Sequence, residues 1–172
     1  CYSEMIIPRS YQNDAREAVW DYFYGRSGNP LVLMPTGTGK GVCIADFIRS
    51  ALFAFPLTRI AVVTHVETLI EQNYNKMLEL WPQAPAGIYS AGLDRRDVWC
   101  QITFAGIQSI CDKPDLLPPV DIIIIDEAHL VSPKDETRYQ KWIDGQRARN
   151  PQVKVIGYTA TDWRLGLGKL TG

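Results

Sequence analysis

The sequence predicts an α/β fold of three layers: a central parallel sheet with helices on both faces. Three observations point there. Short apolar runs alternate with helical patterns along the chain. One run, residues 120–125, is almost wholly apolar, as a strand covered on both sides must be. Strands separated by helices pair in parallel through right-handed crossovers. At 172 residues the chain fits one domain, 1–172, with a sizeable core.

In chain order, an amphipathic helix over 12–24 comes first. Leu31, Val32, Leu33 and Met34 form the first strand, followed by a Gly-rich loop. A helix then carries Val42, Ile44, Ala45, Ile48, Ala51 and Leu52. Ile60, Ala61, Val62 and Val63 make the second strand; Val66, Leu69, Ile70, Met77 and Leu78 follow at helical spacing. Ile102, Thr103 and Phe104 lead into a short helix at 107–111. Leu116, Leu117, Pro118 and Pro119 form a loop before the buried strand. A helix over 137–146 turns Tyr139, Trp142 and Ile143 inward, with Lys134, Asp135 and Glu136 as its solvated start, and Val153 to Ile156 is the last strand. Ligands of such a sheet sit at the carboxyl ends of its strands.

Composition narrows the function classes. Hydrophobic residues at 46% and charged residues at 22% exclude a disordered chain. Eighteen Lys and Arg against nineteen Asp and Glu exclude a basic coat for nucleic acid, so any such contact comes from a local patch. No apolar run approaches the roughly 18–20 residues of a membrane helix. The first ten residues lack the basic-then-apolar order of a secretory signal. The start without Met and the end at Leu170, Thr171 and Gly172 read as a trimmed fragment. Cys1, Cys43, Cys100 and Cys111 make no CxxC pair, and both His lie far from them. Reduced structural thiols of a cytoplasmic protein are the better reading than zinc.

Two motifs carry chemistry. Met34, Pro35, Thr36, Gly37, Thr38, Gly39, Lys40 and Gly41 follow a strand and open a helix. Gly37 and Gly39 let main-chain N–H groups point at an anion, the helix start adds positive potential, and Lys40 reaches the β- and γ-phosphates of a nucleotide. The general phosphate-binding loop has Gly where Met34 stands and Ser or Thr where Gly41 stands. That missing hydroxyl is a Mg²⁺ ligand, so Gly41→Thr is expected to tighten Mg²⁺-dependent binding. The second motif is Asp126-Glu127-Ala128-His129 at the tip of the buried strand. There Asp126 can hold the water shell of Mg²⁺, and Glu127 can orient and deprotonate an attacking water.

Together these motifs resemble the first motor domain of superfamily-two helicases of the DEAD/DEAH type, a RecA-like domain. Pro8, Arg9, Ser10, Tyr11 and Gln12 are similar to the adenine-reading Q motif, in which Gln12 pairs with the base edge and Arg9 supports it. Thr64, His65, Leu69 and Gln72 are similar to motif Ia. Thr103 to Ser109, with Gln108, resemble the next nucleic-acid-facing segment. Gly157, Tyr158, Thr159, Ala160 and Thr161 are similar to motif III, and His129 sits where the family couples that motif to the phosphates. Ser90, Gly92, Arg95 and Arg96 fall in a polar, basic loop of the kind that faces a nucleic-acid backbone. The five tryptophans read as core or rim packing rather than base-stacking platforms.

The finer likeness is to RadD-like DNA-repair ATPases, relatives of RecQ helicases, through the stretches at 64–69, 89–93 and 158–166; relatives carry Pro where Asp162 stands. The resemblance implies ATP and Mg²⁺ as ligands, DNA, single-stranded or forked, as partner, and a second RecA-like domain supplying an arginine finger. The chain alone is then expected to bind nucleotide and hydrolyse it poorly. An RNA helicase, a restriction-enzyme motor subunit and a nucleotide-gated binding module with weakened hydrolysis are the alternatives. A small-molecule kinase would leave Asp-Glu-Ala-His and Thr-Ala-Thr unexplained.

Overall fold

A computed structural model describes residues 10–25, 30–34, 39–127 and 132–159. The sheet has seven strands: β1 Leu31–Leu33, β2 Ile60–Thr64, β3 Ala86–Ser90, β4 Arg95–Arg96, β5 Ile102–Gly106, β6 Ile122–Asp126 and β7 Lys154–Thr159. Their order is β1-β7-β6-β2-β5-β3-β4. Every pairing is parallel except β3 with β4, where Tyr89 faces Arg96 and Ser90 faces Arg95. The expected basic loop at 90–96 is therefore a hairpin, and the sheet carries an antiparallel edge that periodicity did not announce.

The helices are α1 Ser10–Gly25, α2 Lys40–Ala54, α3 Glu67–Leu80, α4 Ile107–Ile110 and α5 Pro133–Arg149. The pleat of β6 explains the three layers. Ile122 and Ile124 point to the side covered by α1, α2 and α3, where Val19, Phe47, Ile48, Ile70 and Met77 pack. Ile123 and Ile125 point to the side covered by α4 and α5, with Ile107, Tyr139, Trp142 and Ile143. Alternate residues feed opposite cores, so both kinds must be apolar, as the run of four isoleucines is.

Helix ends follow local chemistry. Ser132 caps α5, its Oγ accepting from the Asp135 amide at 3.2 Å, and Pro133 begins the helix, where its missing N–H costs nothing. Asp135 is half-buried and bonded to Ser132 and Arg138, not freely solvated as expected. Among the described residues, no helix is long and apolar enough to cross a membrane. Cys43, Cys100 and Cys111 are free thiols.

Candidate nucleotide site

Lys40 opens α2, the helix that follows β1, while Asp126 ends β6 and Glu127 follows it; β7 lies between the two strands. Across that strand the three side chains meet. Lys40 Nζ lies 3.0 Å from Asp126 Oδ1 and also contacts Glu127 Oε1. Asp126 is fully buried; its Oδ1 accepts from the Glu127 amide at 2.8 Å and its Oδ2 from Asn73 Nδ2 at 2.7 Å. Each oxygen of this carboxylate is thus held by a donor, which is what a buried charge requires. Glu127 is half-buried and adopts φ 52°, a left-handed backbone that costs a non-glycine residue about 1–3 kcal/mol. The main chain leaves β6 sharply there, aiming the Glu127 side chain back at Lys40.

The loop before α2 is held from behind. Gly39, at φ 79°, is the residue before the helix, and its carbonyl accepts from Cys43 N at 3.1 Å and from Gln12 Nε2 at 3.1 Å. A Cβ at Gly39 would meet Gln12 Nε2 at 2.5 Å, so glycine is required here by conformation and by space. Gln12 is buried, and in this structure its amide braces the loop. β7 joins in: the Met34 amide donates to the Thr159 carbonyl at 2.8 Å.

A groove of about 360 Å³ runs from Lys40 and Asp126 along α3, lined also by Gly41, Leu69, Gln72 and Asn73. A larger hollow of about 590 Å³, lined by Leu57, Pro85 and Trp99, lies at the amino ends of β2, β3 and β5, away from these charges. Ligands of open α/β sheets bind at the carboxyl ends. Among the described residues, no cluster of three or more His, Cys, Asp or Glu forms a metal centre. Asp126 and Glu127 offer hard carboxylate oxygens, and Mg²⁺ binds through one or two of these while keeping several waters. The donor set therefore fits Mg²⁺ held in part through water.

The other expected residues separate by depth. Gln72 is exposed on the groove side of α3, and Gln108 is exposed with its Nε2 on the His65 carbonyl at 3.0 Å. Thr64 and Ser90 are buried at strand ends, where their hydroxyls accept from the amides of Val66 and Leu93. They shape loops and present no hydroxyl to a ligand. Thr159 is buried at the end of β7. Thr103 does not reach the face at all: it is buried in the amino half of β5, its hydroxyl on the Cys100 carbonyl at 3.5 Å. Gly92 lies under the Glu67 carboxylate. His65 Nδ1 sits 3.4 Å from the Tyr139 hydroxyl. Arg95 pairs with Asp97 at 2.6 Å and Arg96 donates to the Ser90 carbonyl at 2.8 Å. Trp142 is core, Trp20 and Trp81 are half-buried, and Trp99 is exposed at the far end of the sheet. Arg9, Pro35, Thr36, Gly37, Thr38, His129, Thr161 and Trp163 lie outside the described residues.

Residues 5–163 match the family described as ResIII, the res subunit of type III restriction enzymes. No curated protein matches the chain. Among solved structures it is similar to the Hef helicase domain of Pyrococcus furiosus, with 20% identity, TM-score 0.73, and coverage of 95% of this chain and 34% of that one. It is similar to the Sulfolobus solfataricus SWI2/SNF2 ATPase core in complex with dsDNA, with 16% identity, TM-score 0.71, and coverage of 94% and 33%. It is also similar to the UvsW helicase of bacteriophage T4, with 19% identity, TM-score 0.70, and coverage of 91% and 53%. The chain thus spans about half or less of each of these proteins. At such identities the likeness is one of fold: the RecA-like fold of helicase motor domains.

Proposed function

We propose, for a chain that belongs to the family of the type III restriction enzyme res subunit, that it is the ATP-binding half of a nucleic-acid-dependent motor, a helicase or translocase acting on DNA. One observation carries this reading: Lys40 and the Asp126–Glu127 pair, 87 residues apart between Lys40 and Glu127, converge at the carboxyl ends of the sheet. An isolated ammonium–carboxylate cluster would serve structure alone, but this one lines an open groove and ends on a strained backbone.

Lys40 releases the carboxylates to neutralise the β- and γ-phosphate oxygens. Amides of residues 35–39 and the start of α2 bind the remaining charge. Asp126 anchors the Mg²⁺ water shell; bound there, the metal neutralises charge developing on the phosphates. Glu127 orients the attacking water and takes its proton. With Arg9 in support, Gln12 reads the base edge by turning out of the buried position in which it holds the Gly39 carbonyl.

Nucleic acid follows the exposed rim: Gln72, Gly92, Gln108 and the Arg95–Arg96 hairpin. Its contacts are mainly to phosphates, hence salt-dependent and weakly sequence-specific. Thr64, His65 and Ser90 act from behind that rim, and His129, Thr159 and Thr161 relay nucleotide state to it. A second RecA-like domain completes the site with an arginine finger, worth about 10³–10⁵ in rate in other NTPases. DNA is favoured by the neighbour solved with dsDNA and by the RadD-like stretches; a restriction-enzyme motor is the second reading, favoured by the family match.

The test is ATP hydrolysis by the full-length protein with single-stranded DNA, forked DNA and RNA in parallel, beside Glu127→Gln. DNA-stimulated turnover lost in the variant is expected. Stimulation by RNA alone would assign an RNA motor. Equal low rates in both proteins would leave a nucleotide-gated binding module.

A further inference from the structure

We infer that Asn73 on α3 takes over the position of the hydroxyl that Gly41 lacks, holding Asp126 with its amide and ordering the water shell of nucleotide-bound Mg²⁺ with its oxygen. The inference rests on the reading of the cleft as a Mg²⁺–nucleotide site.

The sequence of α3 marks Asn73 as out of place. The buried residues of this helix are Ile70, Asn73, Met77 and Leu80. That spacing is one continuous stripe facing the core, and at 73 the stripe asks for an aliphatic side chain. An amide buried without a partner is costly. Asn73 is 6% exposed and spends one bond on Asp126, Nδ2 to Oδ2 at 2.7 Å.

That bond fixes the amide's orientation. An ionised carboxylate only accepts, so the atom facing Asp126 is Nδ2 and the atom turned away is Oδ1. Oδ1 accepts no hydrogen bond among the described residues. It lies 3.4 Å from where a Cβ on Gly41 would stand, beside the groove that Lys40, Gly41 and Asp126 line. The oxygen thus borders the space that a Ser or Thr side chain at 41 would enter. Mg²⁺ gives up its waters reluctantly, and those waters need acceptors. A neutral carbonyl oxygen beside a carboxylate ligand serves that need without adding charge. It also conditions the effect of Gly41→Thr: a Cβ there meets Asn73 Oδ1 and Lys76 Cγ, both at 3.4 Å. With Asn73 in place the substitution gains little; with Asn73 shortened the hydroxyl has room and a task.

The test titrates a fluorescent ATP analogue into the full-length protein in Mg²⁺ and in EDTA, and reads the ratio of the two dissociation constants. Asn73→Ala is expected to shrink that ratio about tenfold or more, the usual cost of losing an outer-shell partner, with affinity in EDTA unchanged. Asn73→Leu, which suits the apolar stripe and keeps the core filled, is expected to do the same. Adding Gly41→Ser to Asn73→Ala restores the ratio. An unchanged ratio in both variants, or equal losses in Mg²⁺ and EDTA, overturns the inference while the nucleotide reading stands. A wild-type protein that binds the analogue in neither condition removes the nucleotide reading, and this inference with it.

Discussion

Lys40 is shared between two carboxylates, and the three residues differ in what they can lose. Asp126 is fully buried, so Lys40→Ala strands its charge on Asn73 and one amide. Removing one partner of a buried pair costs about 3–5 kcal/mol; urea unfolding of Lys40→Ala should show a loss of that order. Glu127 behaves otherwise. Its left-handed backbone is a cost of position, so Glu127→Gly should relieve roughly 1 kcal/mol of strain while abolishing turnover, which paired stability and ATPase measurements check. Burial, then the Asp46 charge, push the Cys43 thiol from 9.0 up to about 11. The folded state therefore favours the protonated thiol. Its stabilising share is full below about pH 9 and is lost as pH rises through about 11. Iodoacetamide at pH 8 should modify half-buried Cys100 well before Cys43. Lys40, Asp126 and Glu127 were legible because motif spacing names them. Asn73 was not, because one polar residue in a polar-flanked helix draws no attention until Ile70, Met77 and Leu80 are known to line the core. The usable signal was the break in that stripe.

Helix α1 is an addition to the sheet, held on by α2. Arg16 reaches the buried Asp46 at 2.7 Å, Trp20 packs on Phe47 with ring centroids 5.4 Å apart, and Gln12 grips the Gly39 carbonyl. Among the described residues, Asp46 keeps Arg49, at 3.3 Å, as its ion-pair partner when Arg16 is shortened. Arg16→Ala should cost about 1.5–3 kcal/mol, the worth of a bond to a charged group, and speed Cys43 alkylation as α1 loosens. Ser132→Ala should cost about 1 kcal/mol by uncapping α5, read by thermal denaturation. Helices and inner strands were readable because their apolar periods are set by two-sided burial. β3 and β4 were not: β3 begins after Pro85 and holds Gly87, whose bare face packs against Cys100 and Asp97, and β4 is two arginines long. Pairing with a neighbour makes these strands, and pairing leaves no local period in so short a segment.

The order of the whole sheet makes the site. Lys40 and Glu127 stand 87 residues apart, yet β1 and β6 both flank β7, so Lys40 at the start of α2 and the tip of β6 come together near the end of β7. The proposed nucleotide site and the segment expected to relay its state thus share one strand edge. Affinity for DNA in the full-length protein should fall log-linearly with salt, as phosphate-dominated binding does. The central claim is that this junction holds a nucleoside triphosphate. Its most direct test is titration of Mg²⁺–ATP into the full-length protein and its Lys40→Ala variant, with folding of both verified. The account predicts saturable binding weakened by about tenfold to a hundredfold in the variant, the worth of one charged bond; equal affinity in the two proteins would contradict it.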